Sequence, residues 1–271
     1  MDEGALRYLQ DHLEHFKEIE NAFSESTVVV LPEGAKLASL ENYQVAPNRV
    51  TQHPQLVSSD SFVEYVNRFK QSESEVGEET TTIYMNIDAG AFLGVIDHHS
   101  KSNPAWCSHC VTFKPRVSLE WEAWKAVHGQ KLSQLDLAHF IEANLADIIE
   151  PEANEMLASA LKFEAVENMT LGSAQNLDDG SVKFNFTKEN ANATVTFPHR
   201  MTIVIPLHEN EALISIDVRV RYKTTSDGVL TFTMSMVENP RKIERDALVR
   251  LANDIKAGTD GVPVYEGGAD R

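Results

Sequence analysis

Residues 213–236, LISIDVRVRYKTTSDGVLTFTMSM, decide the fold class. Ile214, Ile216, Val218, Val220 and Tyr222 alternate with Ser215, Asp217, Arg219, Arg221 and Lys223. Successive side chains of a strand point to opposite faces, so this alternation predicts a strand with one buried face and one basic, polar face. Ser226-Asp227-Gly228 reads as a turn into a second strand, where Phe232, Met234 and Met236 alternate with Thr231, Thr233 and Ser235. Upstream, 182–187, 194–197 and 201–207 repeat the period of two, which brings the antiparallel set to about five strands. Downstream, Asn239-Pro240 opens a final helix with Ile243, Ala247, Leu251 and Ile255 facing inward, and Gly258 stops it.

Before residue 181 the apolar spacing is mostly helical. Leu6, Leu9, Leu13, Phe16 and Ile19 predict an amphipathic helix over 3–23, followed by a short strand at 28–31. Ser61 is expected to cap a helix carrying Phe62, Val66 and Phe69. Strands are expected at 82–87, 92–96 and 105–113, and a helix at 118–127 with Trp121 and Trp124 close on one face. A capping box at Ser133 to Asp136 opens a helix with the stripe Leu137, Ile141, Leu145 and Ile148. Pro151 suits the first position of another helix, with Leu157, Ala160 and Leu161 inward. The expectation is an α+β protein: antiparallel sheets with packed helices, a helical middle segment, and a β-rich C-terminal half closed by a helix. The change of period suggests an N-terminal region, 1–175, and a β-rich region, 176–271, or one continuous domain.

A chain of 271 residues with 42% apolar side chains can bury a sizeable core. No run approaches the roughly 18 to 20 apolar residues of a membrane helix, and Asp2 and Glu3 stand where a signal peptide carries positive charge. A cytoplasmic location without membrane contact is the expectation, and the two cysteines are expected to be reduced. The 41 acids against 24 bases give a formal charge of −17, which argues against direct nucleic-acid binding. The acids near the N-terminus and at Glu73, Glu75, Glu78 and Glu79 read as solubilising segments, or more sharply as a surface that imitates DNA.

The segment 97–110, DHHSKSNPAWCSHC, concentrates the groups that could carry chemistry. Asp97-His98-His99 after an apolar run resembles the signature of the DHH phosphoesterases, which hold a divalent metal pair with carboxylate and imidazole ligands. The aspartate-rich motif that should precede it is missing from residues 24–60. Cys107 and Cys110, with nearby histidines, could hold zinc, but regular alternation along 105–113 would send Cys107 and His109 to one side and Cys110 to the other. A redox Cys-x2-Cys pair belongs at a helix N-terminus, whereas this one reads as strand. No nucleophile elbow, Walker loop or dinucleotide fingerprint occurs. No catalytic, metal or cofactor residue is therefore assigned. Asp97, His99, Trp106, His109, Trp121 and Trp124 form the candidate cluster, functional or structural, with the tryptophans more readily core than ligand platform. Arg219, Arg221 and Lys223 form the candidate interface.

Over nearly its whole length the chain resembles the YfdQ-like family of phage and prophage proteins, which has no assigned activity. The specific matches are Asp97-x-His99-Ser100, Pro104-x-Trp106-x-x-His109, Glu120-Trp121-x-x-Trp124, and Ser133-Gln134 leading into Phe140-Ile141-Glu142. Leu31-Pro32, Pro47-x-Arg49, Phe62-x-x-Tyr65-Val66 and Arg219-x-Arg221-Tyr222 support them. His98, Cys107 and Cys110 stand outside this pattern, which weakens both metal readings. The resemblance implies a protein expressed by a temperate phage in a bacterial cytoplasm. The function expected is a non-enzymatic accessory role, exercised as a homo-oligomer or by binding a host or phage protein. The rivals are a metal-dependent phosphoesterase or nuclease using Asp97-His98-His99 and an acidic anti-defence protein.

Overall fold

The computed structural model describes residues 45–47, 49–70, 72–73, 78–101, 103–166, 169–178, 180–188, 191–224 and 229–268. The helix and strand expected at 3–23 and 28–31, and the turn at 226–228, lie outside these residues. The chain divides into two compact units at Val50 and Thr51, and the second, Thr51–Arg271, carries the architecture below.

The protein is α+β. One mixed sheet contains β1 (Gln55–Leu56), β4 (Thr82–Asn86), β5 (Ala91–Val95), β6 (Cys110–Phe113) and β15 (Val264–Glu266), in the order β1-β6-β5-β4-β15. Its three inner strands are antiparallel, while β1 joins β6 and β15 joins β4 in parallel, two edge pairings that sequence pattern did not reveal. A second sheet is antiparallel throughout, with β7 (Lys131–Leu132), β8 (Ile148–Glu150), β12 (Arg200–Pro206), β13 (Leu213–Thr224) and β14 (Leu230–Met236) in the order β7-β14-β13-β12-β8. The third orders β9 (Thr170–Asn176), β10 (Ser181–Lys188) and β11 (Ala191–Pro198) as β11-β10-β9. A short ladder pairs β2 (Ser72–Glu73) with β3 (Glu78–Glu79). Pairing crosses residue 175 in both directions, since β7 and β8 flank the second sheet and β15 returns to β4.

Five helices are described: α1 (Ser59–Phe69), α2 (Leu119–Val127), α3 (Gln134–Ala143), α4 (Ala153–Ala165) and α5 (Pro240–Gly258). None is long and apolar enough to cross a membrane. The capping box at Ser133 and Asp136 forms as expected, and Asn239 caps α5 by accepting the Arg241 N–H. Three expectations shift in phase. Ser58, not Ser61, occupies the N-cap position of α1. The α3 stripe ends at Ile141, with Leu145 in a 3-10 turn and Ile148 in β8. In α4, Met156, Ala160 and Phe163 face inward while Leu161 is exposed, because the helix starts at Ala153 and Phe163 meets the aromatic centre of the core. The Phe163 ring lies 5.5 Å from Phe184, 5.3 Å from Phe197 and 5.1 Å from Phe232, tying α4 to both antiparallel sheets.

Two apolar cores result. Phe62 and Val66 of α1 pack on Ile83, Phe92, Val111 and Phe113 of the mixed sheet, and the other core joins the two antiparallel sheets with α2, α3 and α4. The single stripe of α5 serves both: Ile243 and Ala247 enter the larger core, and Leu248, Leu251, Ala252 and Ile255 enter the smaller. Beside the smaller core, the Asn67 amide donates to Gly258 O at 2.8 Å and Lys70 Nζ to Thr259 O at 3.2 Å, fastening the ends of α1 and α5 together.

Gly94, opposite Ile83 and Val111, permits the close approach of α1 to the sheet. A Cβ there would sit 2.9 Å from Val111 Cγ1 and 3.3 Å from the Phe62 ring. Gly94→Ala should therefore lower stability by about 1–3 kcal/mol through overpacking, measured by urea unfolding. An unchanged midpoint would show that Val111 and Phe62 yield without cost.

Candidate functional site

The strand expected over 105–113 is formed only from Cys110 onward. The reason is Asp97. Its Oδ2 accepts the Ser108 N–H at 3.0 Å and the Ser108 hydroxyl at 3.2 Å, and its Oδ1 accepts the His109 N–H at 2.8 Å. The Ile96 N–H donates to His109 O at 2.9 Å and closes the neck of a loop that carries residues 97–101 and 103–109. Cys107 adopts a positive φ of 50°, which a regular strand forbids. Strand alternation therefore does not part Cys107 from Cys110, contrary to expectation. Instead, the Cys110 thiol donates to Cys107 O at 3.4 Å.

Within the loop the histidines have defined partners. His99 Nδ1 accepts the Ala105 N–H at 2.9 Å, so the neutral ring carries its proton on Nε2, which faces Cys107 Sγ at 3.6 Å. In that tautomer Nε2 is the donor toward the Cys107 sulfur. His98 Nε2 meets the Tyr84 hydroxyl at 2.9 Å. His109 is buried, contacts the Tyr65 hydroxyl through Nε2 at 2.8 Å, and meets the rings of Tyr65 and Phe69 edge to face. Among the described residues, no three His, Cys, Asp or Glu side chains are placed to hold a metal ion.

The six candidate residues thus separate. Asp97, His99 and His109 build the loop, and Trp106 stands on it with 78% of its surface exposed. Trp121 and Trp124 belong to the larger core, where Trp121 Nε1 donates to Glu244 at 3.1 Å and Trp124 Nε1 to Asp147 at 2.7 Å. Burial raises the Asp147 carboxyl above its ordinary range, with the Trp124 hydrogen bond opposing that shift.

The candidate interface is a row on the outward face of β13. Arg219 is half-buried, Arg221 and Lys223 are exposed, and Arg200 of β12 lies directly opposite Arg219. None of these four has a carboxylate within ion-pair distance among the described residues. Arg200 and its neighbour His199 escaped the sequence reading. The signal available was the break Pro198-His199-Arg200 between two alternating strands.

The model of one family, described as uncharacterized conserved protein DUF2303, matches residues 6–269. The chain belongs to that family. No curated protein and no solved structure matches it. For this DUF2303 member, the loop and the basic row rest on the geometry alone.

Burial lowers the pKa of His109 below 6.5, with the Asp97 charge acting the other way, and burial likewise lowers that of His208 against Glu244. Their unfolded forms bind protons first as pH falls, so stability should be flat above pH 6.5 and decline below it through the depressed folded values. Titration of the His109 ring by NMR should show a low pKa that falls further in Asp97→Asn. A rise on that substitution would refute the assigned coupling.

Proposed function

We propose that this protein is a non-enzymatic binding protein that assembles with copies of itself, using the basic row of β13 against acidic surface of another copy. The observation that carries the reading is the row Arg200, Arg219, Arg221 and Lys223, without ion-pair partners among the described residues, in a chain of net charge −17. A positive patch on an otherwise acidic molecule is complementary to that molecule's own surface, and such complementarity fixes register and speeds association. The occupied hydrogen-bonding groups of Asp97 and His99 favour this over phosphoester chemistry. The similarity to YfdQ-like proteins supports a phage or prophage accessory role inside a bacterial cytoplasm, with a host or phage protein as the other partner class. The apolar stripe of α5 offers no surface for assembly, because it is covered within the chain.

Light scattering at micromolar concentration should give a multiple of 30.2 kDa, falling toward the single-chain mass in an Arg221→Glu, Lys223→Glu variant and with rising salt. A wild-type mass that stays at one chain on concentration contradicts assembly. Metal-dependent phosphodiester hydrolysis abolished by His99→Ala would favour the enzymatic rival.

A further inference from the structure

The passage from the three-stranded sheet into the long antiparallel sheet is a corner of one residue. β11 ends at Pro198, β12 begins at Arg200, and His199 lies between them. A cleft of about 530 Å³ opens at this corner, bounded on one side by Leu177, Gly180 and Ser181 and on the other by His199, Arg200, Arg219, Arg221 and Tyr222. A second cleft of equal volume shares Gly180, Ser181, His199 and Arg200, and adds Lys162 and Glu155.

Two features make this more than basic surface. Arg200 and Arg219 are direct cross-strand partners, an arrangement of like charges that destabilises a sheet unless an anion relieves it. The acid next along that face, Asp217, sits opposite Thr202 and accepts its hydroxyl at 3.1 Å, forming no ion pair with either arginine. The imidazole, in turn, is seated by a glycine. Gly180 has φ +81°, and a Cβ on it would stand 2.8 Å from His199 Cε1, so the ring lies against the turn where another residue would displace it.

We infer that this cleft binds the phosphate group of a small phosphorylated molecule. Guanidinium groups present fixed donor forks that match phosphate oxygens, and two facing arginines call for a dianion rather than a single carboxylate. The volume suits a small ligand, and the protein's overall charge opposes a long polyanion. Inorganic phosphates and phosphate esters share this chemistry. At the edge of the cleft the Tyr222 ring is braced edge-on against Phe184 at 4.9 Å. Arg200, Arg219 and Arg221 belong both to this cleft and to the row assigned to assembly, so phosphate and the acidic surface of another copy would compete for them.

Calorimetric titration of the full chain at low salt, with pyrophosphate and separately with adenosine monophosphate, tests it. Saturable one-to-one binding is expected, weakened about tenfold or more by the double substitution Arg200→Gln, Arg219→Gln. Binding of the monophosphate would identify an ester as the source, and binding of pyrophosphate alone would identify free phosphates; either supports the site. Absence of saturable heat with both probes at millimolar concentration overturns it, as does undiminished binding by the double variant. That variant removes two facing like charges, so its melting temperature should equal or exceed the wild type and confirm that lost binding is not lost folding.

Discussion

The apolar stripe of α5, from Ile243 to Ile255, is buried along its length and belongs to two cores at once. A helix advances about 1.5 Å per residue, so the nineteen residues of α5 run far enough to pack beside two sheets in succession. Its first half covers the antiparallel core built around Phe163, and its second half covers the mixed sheet beneath Phe62. Thr259 closes the helix by returning its hydroxyl to Ile255 O at 2.8 Å, and the chain then pairs β15 with β4. Residues far apart in sequence are thereby held in one body, and both the Asp97 loop and the basic row are mounted on sheets that this helix supports.

Asp97 acts on a smaller scale by the same logic. A carboxylate offers several lone pairs, and here three donors from Ser108 and His109 converge on it. Closing a loop of this length costs entropy, which those charge-assisted bonds and the Ile96–His109 contact at the neck offset. The arrangement makes Asp97 a structural staple of this loop. It also leaves Trp106 projecting from a fixed loop, while the other two tryptophans are core residues with satisfied indole nitrogens.

Periodicity made the long strands and α5 legible, because Ile214 to Tyr222 and Ile243 to Ile255 each bury one face and expose the other. It failed where a side chain overruled local pattern. Residues 105–109 have strand-like composition but are drawn into a loop by Asp97, eight or more positions away in sequence. Phe163 is central to its core, yet Leu157 and Leu161 offered an equally plausible stripe, and only contact with Phe184, Phe197 and Phe232 selects the phase. The basic row was half legible: Arg219, Arg221 and Lys223 follow from alternation, but Arg200 joins them through strand pairing, which alternation alone does not specify.

If α5 unites the two cores, they must open together. Native-state hydrogen exchange measures this directly, because each amide reports the free energy of the opening that exposes it. The slowest-exchanging amides of β5, in the mixed sheet, and of β13, in the antiparallel sheet, should share one opening free energy equal to that of global unfolding. Two separate plateaus, with β4 to β6 opening well below β13, would show that the mixed sheet unfolds alone and that α5 does not bind the molecule into one cooperative unit.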